Sequence, residues 1–278
     1  HKINYRMKLK VGIIGCGFVG ESHSFAFSPT CEILVYDIDP LKSTHSLDEV
    51  YSSDFIFVCV PTPMNNDGSQ NTSYIDDVFK TCKNGPVYII KSTILPGTTN
   101  RLQSKFSNLD IIFSPEFLTE RTSKSDMITQ SRIILGGDIN LTKKVEKLYK
   151  TRFKSRHFIH TDCNTAEFIK YMNNTFFATK VSIMNEFYQL SKKMNVNWKT
   201  ALYGFAADQR IGDSHLDVPG PDGKLGFGGA CFPKDLNAII ILAKKMKVNM
   251  NTLEAAWKTN LEVRPEEDWK DLKGRAVS

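Results

Sequence analysis

The residue best suited to covalent chemistry in this 278-residue sequence is a cysteine at the end of a glycine-rich stretch. Residues 224–230 lead into Cys231, which stands at the predicted N-terminal end of a helix. The helix dipole and the neighbouring Lys234 favour the thiolate, which is the nucleophilic form of cysteine. Asp235 follows four residues after Cys231, so the two side chains would share one face of that helix.

The other five cysteines carry no comparable pattern. They form no CxxC pair and no cluster with histidine at ligand spacing. This argues against a disulfide framework and against a zinc site, and we expect no metal.

A glycine motif near the start of the chain predicts nucleotide binding. Gly15, Gly17 and Gly20 form a GxGxxG that follows a predicted strand and opens a helix, where they allow a tight turn, close approach of a pyrophosphate and close helix packing. Asp37 ends the second predicted strand, where its carboxylate would bind an adenosine ribose diol and disfavour a 2′-phosphate. The pair predicts NAD rather than NADP; the alternative is a glycine turn with an unrelated surface aspartate.

A lysine and an asparagine form a third candidate pair. Lys170 and Asn174 are four residues apart and therefore share one face of a predicted helix. A lone lysine in such a helix is most often solvated, so the pair gains a functional interpretation only together with the other motifs.

The elements that must position these residues fall into two parts. From Leu9 to about His160, short apolar runs alternate with amphipathic segments, which is typical of a doubly wound parallel sheet. We therefore predict an α/β fold with a Rossmann-like NAD-binding domain over residues 7–162, and residues 1–6 are left out of this prediction. The predicted strands are residues 11–14, 32–36, 55–60, 87–90, 110–113 and 132–135.

The second part, residues 163–278, is predicted to be a mainly α-helical central and dimerisation domain. After a hinge around residues 161–164, apolar residues recur over ~28 positions, which predicts a connecting helix about 40 Å long. Asn164 and Glu167 have the spacing of a capping box at its start. Its widely spread apolar residues suggest a homodimer interface, with an ordinary core helix as the alternative. Helices near residues 198–207, 235–247 and 252–263 and an irregular loop over 212–229 complete this part.

Composition restricts the partners and the location. Lys and Arg number 36 against 30 Asp and Glu, and the resulting net charge of +6 is scattered rather than gathered in runs. This argues against a nucleic-acid partner and suits a small anionic ligand. The apolar runs are far shorter than the ~18 residues that span a bilayer, and no signal segment opens the chain, so we expect a cytoplasmic protein without a membrane partner.

Eight motifs occur in one order between Val11 and Asp235: GIIGCGFVG, VYDIDP, VCVPTP, IIKSTILPGTT, FSPEFLTER, EFIKYMNNTF, DQRIG and GFGGACFPKD. They resemble the nucleotide-sugar dehydrogenase family of UDP-glucose and GDP-mannose dehydrogenases, and most closely its UDP-glucose-oxidising members. The resemblance implies an NAD-dependent enzyme that oxidises the C6 hydroxyl of a nucleotide sugar to the carboxylate in two steps. UDP-glucose, oxidised to UDP-glucuronate, is the leading substrate.

The resemblance also implies roles for single residues. Cys231 resembles the nucleophile that captures the C6 aldehyde as a thiohemiacetal, so that a second hydride transfer gives a thioester that water hydrolyses. Lys170 and Asn174 resemble the residues that stabilise the oxyanion formed at C6.

Further positions match residues that orient a catalytic water, move protons or bind the ligands. Thr93, Glu116 and Asp235 belong to the first group. Arg210 matches an arginine that family dimers contribute to the neighbouring subunit's substrate site. The expected NAD contacts are Gly15, Gly17, Val19, Gly20, Asp37, Lys42, Thr62, Thr93, Glu120 and Lys234. The expected substrate contacts are Glu116, Phe117, Leu118, Glu120, Lys170, Asn174, Arg210, Phe227 and Gly228.

The chain departs from the family pattern in two ways. Family members usually carry a C-terminal nucleotide-fold domain that helps to grip UDP, whereas this chain ends at Ser278, which implies a natural short form or a truncated chain. Residues 218–223 look like an insertion that would cover part of the missing wall. The substrate therefore stays open, with GDP-mannose and a UDP-N-acetylhexosamine as alternatives. A catalytically dormant nucleotide-binding dimer subunit is the alternative from another class, and the joint presence of Cys231, Asp235, Lys170 and Asn174 speaks against it.

Overall fold

The structure is a computed structural model that describes residues 8–278. The prediction that starts the first domain at Met7 lies outside the described residues, as do residues 1–6. The chain divides into two compact units: unit 1 contains the described residues up to Thr62 together with Thr72–Lys170, and unit 2 contains Pro63–Asn71 and Tyr171–Ser278. The domain boundary expected between residues 162 and 163 stays a prediction.

Unit 1 is built on a seven-stranded sheet of order β2-β1-β3-β4-β5-β6-β7. Strands β1 to β5 run parallel, β6 pairs with β5 in the antiparallel sense, and β7 is parallel to β6. The predicted Rossmann-like α/β fold is thereby confirmed, with one antiparallel junction. The strands are β1 Lys10–Ile14, β2 Glu32–Tyr36, β3 Phe55–Val58, β4 Val87–Ile90, β5 Asp110–Phe113, β6 Arg132–Gly136 and β7 His157–Thr161.

The central strands are buried on both faces, which explains their nearly continuous apolar sequences. In β3, Phe57 points into one core while Ile56 and Val58 point into the other. Burying each such side chain stabilises the fold by about 1.5–3 kcal/mol. Strand β7 was not predicted, because His157 and His160 interrupt its short apolar run and its side chains are partly exposed at the edge of the sheet.

Two groups of helices cover the two faces of the sheet. Buried side chains of α1, α5 and α6 share the first core, and those of α2, α3, α4 and the start of α7 share the second. The helices are α1 Phe18–Phe27, α2 Leu47–Val50, α3 Ser73–Thr81, α4 Thr98–Lys105, α5 Ser123–Thr129, α6 Ile139–Arg152 and α7 Cys163–Lys193.

The helices of unit 2 are the rest of α7, three further α-helices and a short 3-10 helix at Asp268–Asp271. The three further α-helices are α8 Trp198–Ala206, α9 Phe232–Lys245 and α10 Asn251–Val263. These match the predicted helices, except that α9 begins three residues earlier than expected. Residues 207–231 contain neither helix nor strand, so the irregular loop is confirmed. None of the helices within residues 8–278 is long and apolar enough to cross a membrane.

The predicted capping box at the start of α7 is wrong. Asp162 caps the helix instead, since its Oδ1 accepts a hydrogen bond from the Thr165 backbone N–H at 2.9 Å. Glu167 is fully buried and accepts from the backbone N–H groups of Gly97 and Thr99, both at 2.8 Å, at the start of α4. Burial raises the pKa of Glu167, and these donors oppose that shift.

The glycine turn after β1 leaves no room for side chains at two of its three positions. Gly15 has a left-handed φ of +89°, and a Cβ added there would lie 2.8 Å from the Cys59 carbonyl oxygen. A Cβ at Gly20 would lie 2.1 Å from the Gly15 carbonyl oxygen. At Gly17, by contrast, a Cβ would meet no atom within 4 Å.

We expect Gly20→Ala to lower the free energy of unfolding by about 1–3 kcal/mol, because the Gly15 backbone cannot rotate away from the added methyl group. Gly17→Ala is the matched control, and its φ of −80° suits any residue. The lower backbone freedom of alanine in the unfolded chain and its poorer N-cap preference oppose each other, so the free energy of unfolding should change by less than about 1 kcal/mol. Urea unfolding followed by circular dichroism measures both variants, and a Gly20→Ala protein as stable as the wild type would contradict this packing role.

Candidate functional site

The switch in strand order between β1 and β3 marks the nucleotide site in unit 1. Open α/β sheets bind ligands beyond the carboxyl ends of the strands at such a switch point. The glycine turn follows β1 at this edge, and α1 begins there with Gly17 at its N-cap and no side-chain cap. Uncapped N–H groups and the open space over Gly17 suit a pyrophosphate, so these residues fit the NAD that the motif predicts.

Asp37 lies beside the glycine turn although 21 residues separate it from Cys16. Its Oδ2 accepts from the Cys16 backbone N–H at 2.6 Å, and its Oδ1 accepts from the Asp39 N–H at 2.8 Å. Each carboxylate oxygen keeps a second lone pair, so Asp37 can still accept from ribose hydroxyls. Burial raises the pKa of Cys16, and nearby carboxylates add to this shift, so that thiol is not an activated nucleophile.

The remaining predicted NAD contacts of unit 1 lie in neighbouring segments. Thr62, after β3, donates from its hydroxyl to the Thr93 carbonyl oxygen, after β4, at 2.7 Å. Val19 is half-buried in α1, while Lys42 and Glu120 are exposed in the segments after β2 and β5. Their contacts with NAD stay predictions.

A buried ion pair joins two of the predicted catalytic residues. The Lys170 Nζ donates to the Glu116 carbonyl oxygen at 2.5 Å and to its Oε1 at 3.3 Å. Glu116 Oε2 also accepts from the Leu118 N–H at 2.6 Å, and the Lys170 Nζ stands 5.4 Å from the centroid of the Phe117 ring. The fold thus brings Lys170, from one motif, against Glu116, Phe117 and Leu118, which are consecutive residues of another.

Lys91 is a buried cation that the sequence reasoning missed. Its Nζ donates to the Ser114 hydroxyl and the Pro115 carbonyl oxygen, both at 3.2 Å, directly before Glu116. Burial lowers the pKa of Lys91 to about 8, although the nearby Glu116 carboxylate opposes the shift. A lysine immediately after the buried strand β4 is the signal that could have identified it.

The other predicted catalytic residues form a polar set in unit 2. Cys231 occupies the N-cap of α9, and the Asp235 backbone N–H donates to the Cys231 carbonyl oxygen at 3.0 Å, one helical turn away. The Asp235 carboxylate is buried and accepts from the Asn174 amide at 2.7 Å and from the Lys234 Nζ at 2.6 Å. Both carboxylate oxygens are therefore held in fixed directions.

Three further predicted substrate contacts, Phe227, Gly228 and Arg210, lie in unit 2. The Phe227 ring is buried in the core of the unit beside Trp257. A Cβ at Gly228 would lie 2.6 Å from the Arg264 Nη2, so this position is closed to side chains. The Arg210 side chain is 89% exposed and forms a bidentate pair with Asp208. Their contacts with substrate stay predictions.

Metal ligands do not gather anywhere in the described part of the chain. Within residues 8–278, no three His, Cys, Asp or Glu side chains are placed to hold a metal ion. The polar sets around Glu116 and Asp235 pair carboxylates with lysine or asparagine, which suits hydrogen bonding and charge stabilisation.

Comparison with known proteins gives the family. Residues 39–153 match the NAD-binding domain of the UDP-glucose/GDP-mannose dehydrogenase family, and residues 164–262 match its central domain. The UDP-glucose 6-dehydrogenase of Rickettsia conorii is 33% identical over 231 residues, which cover 80% of this chain and 52% of that protein. The chain spans about half the length of this relative and of the UDP-glucose 6-dehydrogenase of Rickettsia typhi, which it matches at 34% identity over 245 residues.

Solved structures share the fold. A UDP-glucose dehydrogenase from Pyrobaculum islandicum has a TM-score of 0.81 at 24% identity, covering 93% of this chain and 69% of that one. A UDP-D-ManNAc dehydrogenase from Pyrococcus horikoshii has a TM-score of 0.76 at 23% identity, with 92% and 69% covered. Because two domains of one family are matched in sequence order and together account for most of the chain, the chain belongs to the UDP-glucose/GDP-mannose dehydrogenase family and contains its NAD-binding domain.

Proposed function

We propose that this chain catalyses the two-step oxidation of the C6 hydroxyl of a nucleotide sugar to the carboxylate, with UDP-glucose as substrate and UDP-glucuronate as product. The observation that carries the proposal is the buried Asn174, Asp235 and Lys234 set, one helical turn from Cys231. The joint presence of Cys231, Asp235, Lys170 and Asn174 speaks against a dormant nucleotide-binding subunit.

The chain's residues would hold the cofactor at the switch point of the sheet. Gly15, Gly17 and Gly20 shape the turn for the pyrophosphate, and Asp37 accepts from the ribose hydroxyls. Bound there, NAD would supply the hydride acceptor for each of the two oxidations. Lys42, Thr62, Thr93, Glu120 and Lys234 are the further proposed contacts.

Cys231 is the proposed nucleophile for the second oxidation. Its sulfur adds to the aldehyde carbon to form a C–S bond while the C=O π bond opens. The proton lost by the thiol is balanced by one taken up on the former aldehyde oxygen, so that the product is a thiohemiacetal. After oxidation to the thioester, water adds to the carbonyl carbon, the C–S bond breaks, and the thiol is regenerated with the carboxylate product. Asp235 accepts hydrogen bonds only, which suits it to orient that water, and Thr93 and Glu116 are the further proposed proton-handling residues.

Two donors on α7 are proposed to stabilise negative charge on the C6 oxygen. The Lys170 ammonium group is buried, where its charge acts more strongly than in water. Asn174 donates one amide N–H to Asp235, and its amide group has a second N–H that can donate to the oxyanion.

An exposed apolar stripe on α7 supports a homodimer. Its members are spaced three, four or seven residues apart and therefore lie along one side of the helix. Monomeric proteins rarely expose a continuous apolar surface of this kind. The stripe consists of Met172, Phe176, Ile183, Phe187 and Leu190 of α7 and of Met194 directly after the helix, each more than 45% exposed. Arg210 is exposed as well, which suits a residue that would serve the neighbouring subunit's site.

Asp37→Ala should weaken NAD binding selectively and narrow the preference over NADP, since the ribose diol loses its acceptor. Calorimetric titration with each dinucleotide measures the ratio of affinities. Asp39→Ala removes a neighbouring carboxylate and should keep the wild-type ratio. An unchanged NAD/NADP ratio in Asp37→Ala would remove this assignment.

Wild-type protein should release two molecules of NADH for each sugar oxidised, with no free aldehyde accumulating. Cys231→Ala should fail to form the carboxylate. Cys82 lies directly after α3, outside the eight motifs, and Cys82→Ala should behave as wild type. NADH absorbance with a panel of UDP-glucose, GDP-mannose and UDP-N-acetylhexosamines, combined with mass spectrometry of the product, gives both results. Full conversion to the acid by Cys231→Ala would exclude the thioester route, and no NADH with any sugar would favour the dormant subunit.

Replacing Phe187 and Leu190 with Asp should convert the dimer into a monomer, because two charges would be buried in an apolar interface. Ile139→Asp introduces a charge at an exposed apolar residue of α6, outside the stripe, and should leave the dimer intact. Light scattering coupled to size-exclusion chromatography measures the mass. A monomeric wild type, or a double variant that stays dimeric, would reject the stripe as the interface.

A further inference from the structure

A buried asparagine bonds to the loop that leads to Cys231. Asn260 of α10 is fully buried, and its side chain bonds both backbone groups of Phe227. The Phe227 N–H donates to Asn260 Oδ1 at 2.7 Å, and Asn260 Nδ2 donates to the Phe227 carbonyl oxygen at 3.0 Å. Two bonds to one residue fix the orientation of both its peptide groups.

The residues on either side of this contact are held as well. The Gly226 N–H donates to Oδ1 of buried Asn185 at 3.1 Å, and Arg264 Nη1 donates to the Leu225 carbonyl oxygen at 3.3 Å. Gly226 itself has a left-handed φ of +65°. Three successive residues of a loop without helix or strand are thus held by side chains of α7, of α10 and of Arg264, the C-cap of α10.

The close approach of the loop to Asn260 requires glycine. A Cβ at Gly226 would lie 2.4 Å from Asn260 Oδ1, so any larger residue would displace the amide from Phe227. The motif glycine and the buried asparagine therefore form one contact, although 34 residues separate them in the sequence.

Apolar packing already buries Phe227, so the contribution of the Asn260 amide is to fix the orientation of the Phe227 peptide groups. The Phe227 ring packs against Phe232 and Trp257, with centroid distances of 6.1 and 6.2 Å. These contacts hold the ring in the core but leave the peptide groups free to rotate. Burying an amide requires that its hydrogen bonds be satisfied, and the bonds of Asn260 to Phe227 fix the path of the chain.

Only three residues separate this anchor from Cys231, and two of them, Gly228 and Gly229, are glycines. The four residues from 228 to 231 span at most about 14 Å when fully extended. Because this connection is so short, the position of Phe227 restricts the positions that Cys231 can take. Helix α9 fixes Cys231 from its other side. The flexible glycines have a defined geometry only when both ends are held.

We propose that Asn260 is a positioning residue for Cys231, and that it acts through Phe227 to set the direction in which the cysteine is presented to an electrophile. The expected effect of Asn260 on turnover rests on the proposed function. The expected effect of Asn260 on the reactivity of Cys231 is independent of any substrate. A small misplacement of a reacting atom lowers rates by up to about a hundredfold.

The main test variant is Asn260→Asp, which keeps the shape and the acceptor for the Phe227 N–H but removes the donor to the Phe227 carbonyl oxygen. Two readouts are used: the rate of Cys231 alkylation by iodoacetamide, and kcat with UDP-glucose and NAD. We expect both to change by on the order of tenfold or more. The affinity for NAD, measured by calorimetry, should stay within about twofold.

Two matched controls separate positioning from stability. Asn185→Asp also introduces a buried carboxylate but keeps the acceptor that faces Gly226, so it should retain the wild-type alkylation rate. Ser182→Ala removes a buried hydrogen bond of 2.7 Å between α7 and α10, to the Ala256 carbonyl oxygen, without touching the loop. It should lower Tm while leaving the alkylation rate and kcat unchanged.

The outcomes distinguish the two proposals. An unchanged alkylation rate in folded Asn260→Asp overturns the positioning role, as do equal rate losses in Asn260→Asp and both controls. If Asn260→Asp does not fold, Asn260→Ala removes both hydrogen bonds to Phe227 without burying a charge, and an unchanged alkylation rate in that variant overturns the role. Altered alkylation in Asn260→Asp, together with a wild type that releases no NADH from any nucleotide sugar, would support the positioning role and reject the proposed function.

Discussion

The parallel strands of unit 1 are buried on both faces, and this burial fixes their register more strongly than any single contact does. Alternate side chains of β3 and its neighbours enter two separate cores, so a one-residue shift of a strand would exchange the two sets. Parallel strands held in this register end at the same edge of the sheet. The segments that follow them, at Gly15, Thr62, Thr93 and Glu116, therefore begin from fixed positions.

The chain loses its ladder hydrogen bonds where it leaves these strands, and buried polar groups there must find other partners. Thr62, Lys91 and Lys170 each donate to a backbone carbonyl oxygen of a neighbouring segment. Removing one partner of a buried ion pair typically costs about 3–5 kcal/mol, because the other charge is left uncompensated. The geometry around Glu116 is therefore coupled to the stability of unit 1.

Unit 2 meets the same requirement without a sheet. The loop before Cys231 has no regular backbone pairing. Side chains of α7, of α10 and of its C-cap Arg264 bind the Leu225 carbonyl oxygen, the Gly226 N–H and both peptide groups of Phe227. A cysteine on such a loop would otherwise sample many directions, since its neighbouring glycines restrict the backbone so little. Hydrogen bonds from buried side chains fix the path of this loop, as the ladder hydrogen bonds of the sheet fix the strands in unit 1.

The sequence by itself determined the elements and the chemistry that can be assigned to them. Continuous apolar runs identified six of the seven strands, helical periodicity identified α7 to α10, and the GxGxxG with Asp37 predicted a nucleotide fold. These signals are local, because each depends on residues within one strand, one helix or one turn. The partners of Asn260, Glu167 and Lys91 were decided only by the tertiary structure. A buried polar side chain bonds to whichever unsatisfied group the packing brings near, and Asn260 and Phe227 are 33 residues apart. The capping box expected for Glu167 failed for the same reason, since packing of α7 brought the start of α4 within its reach.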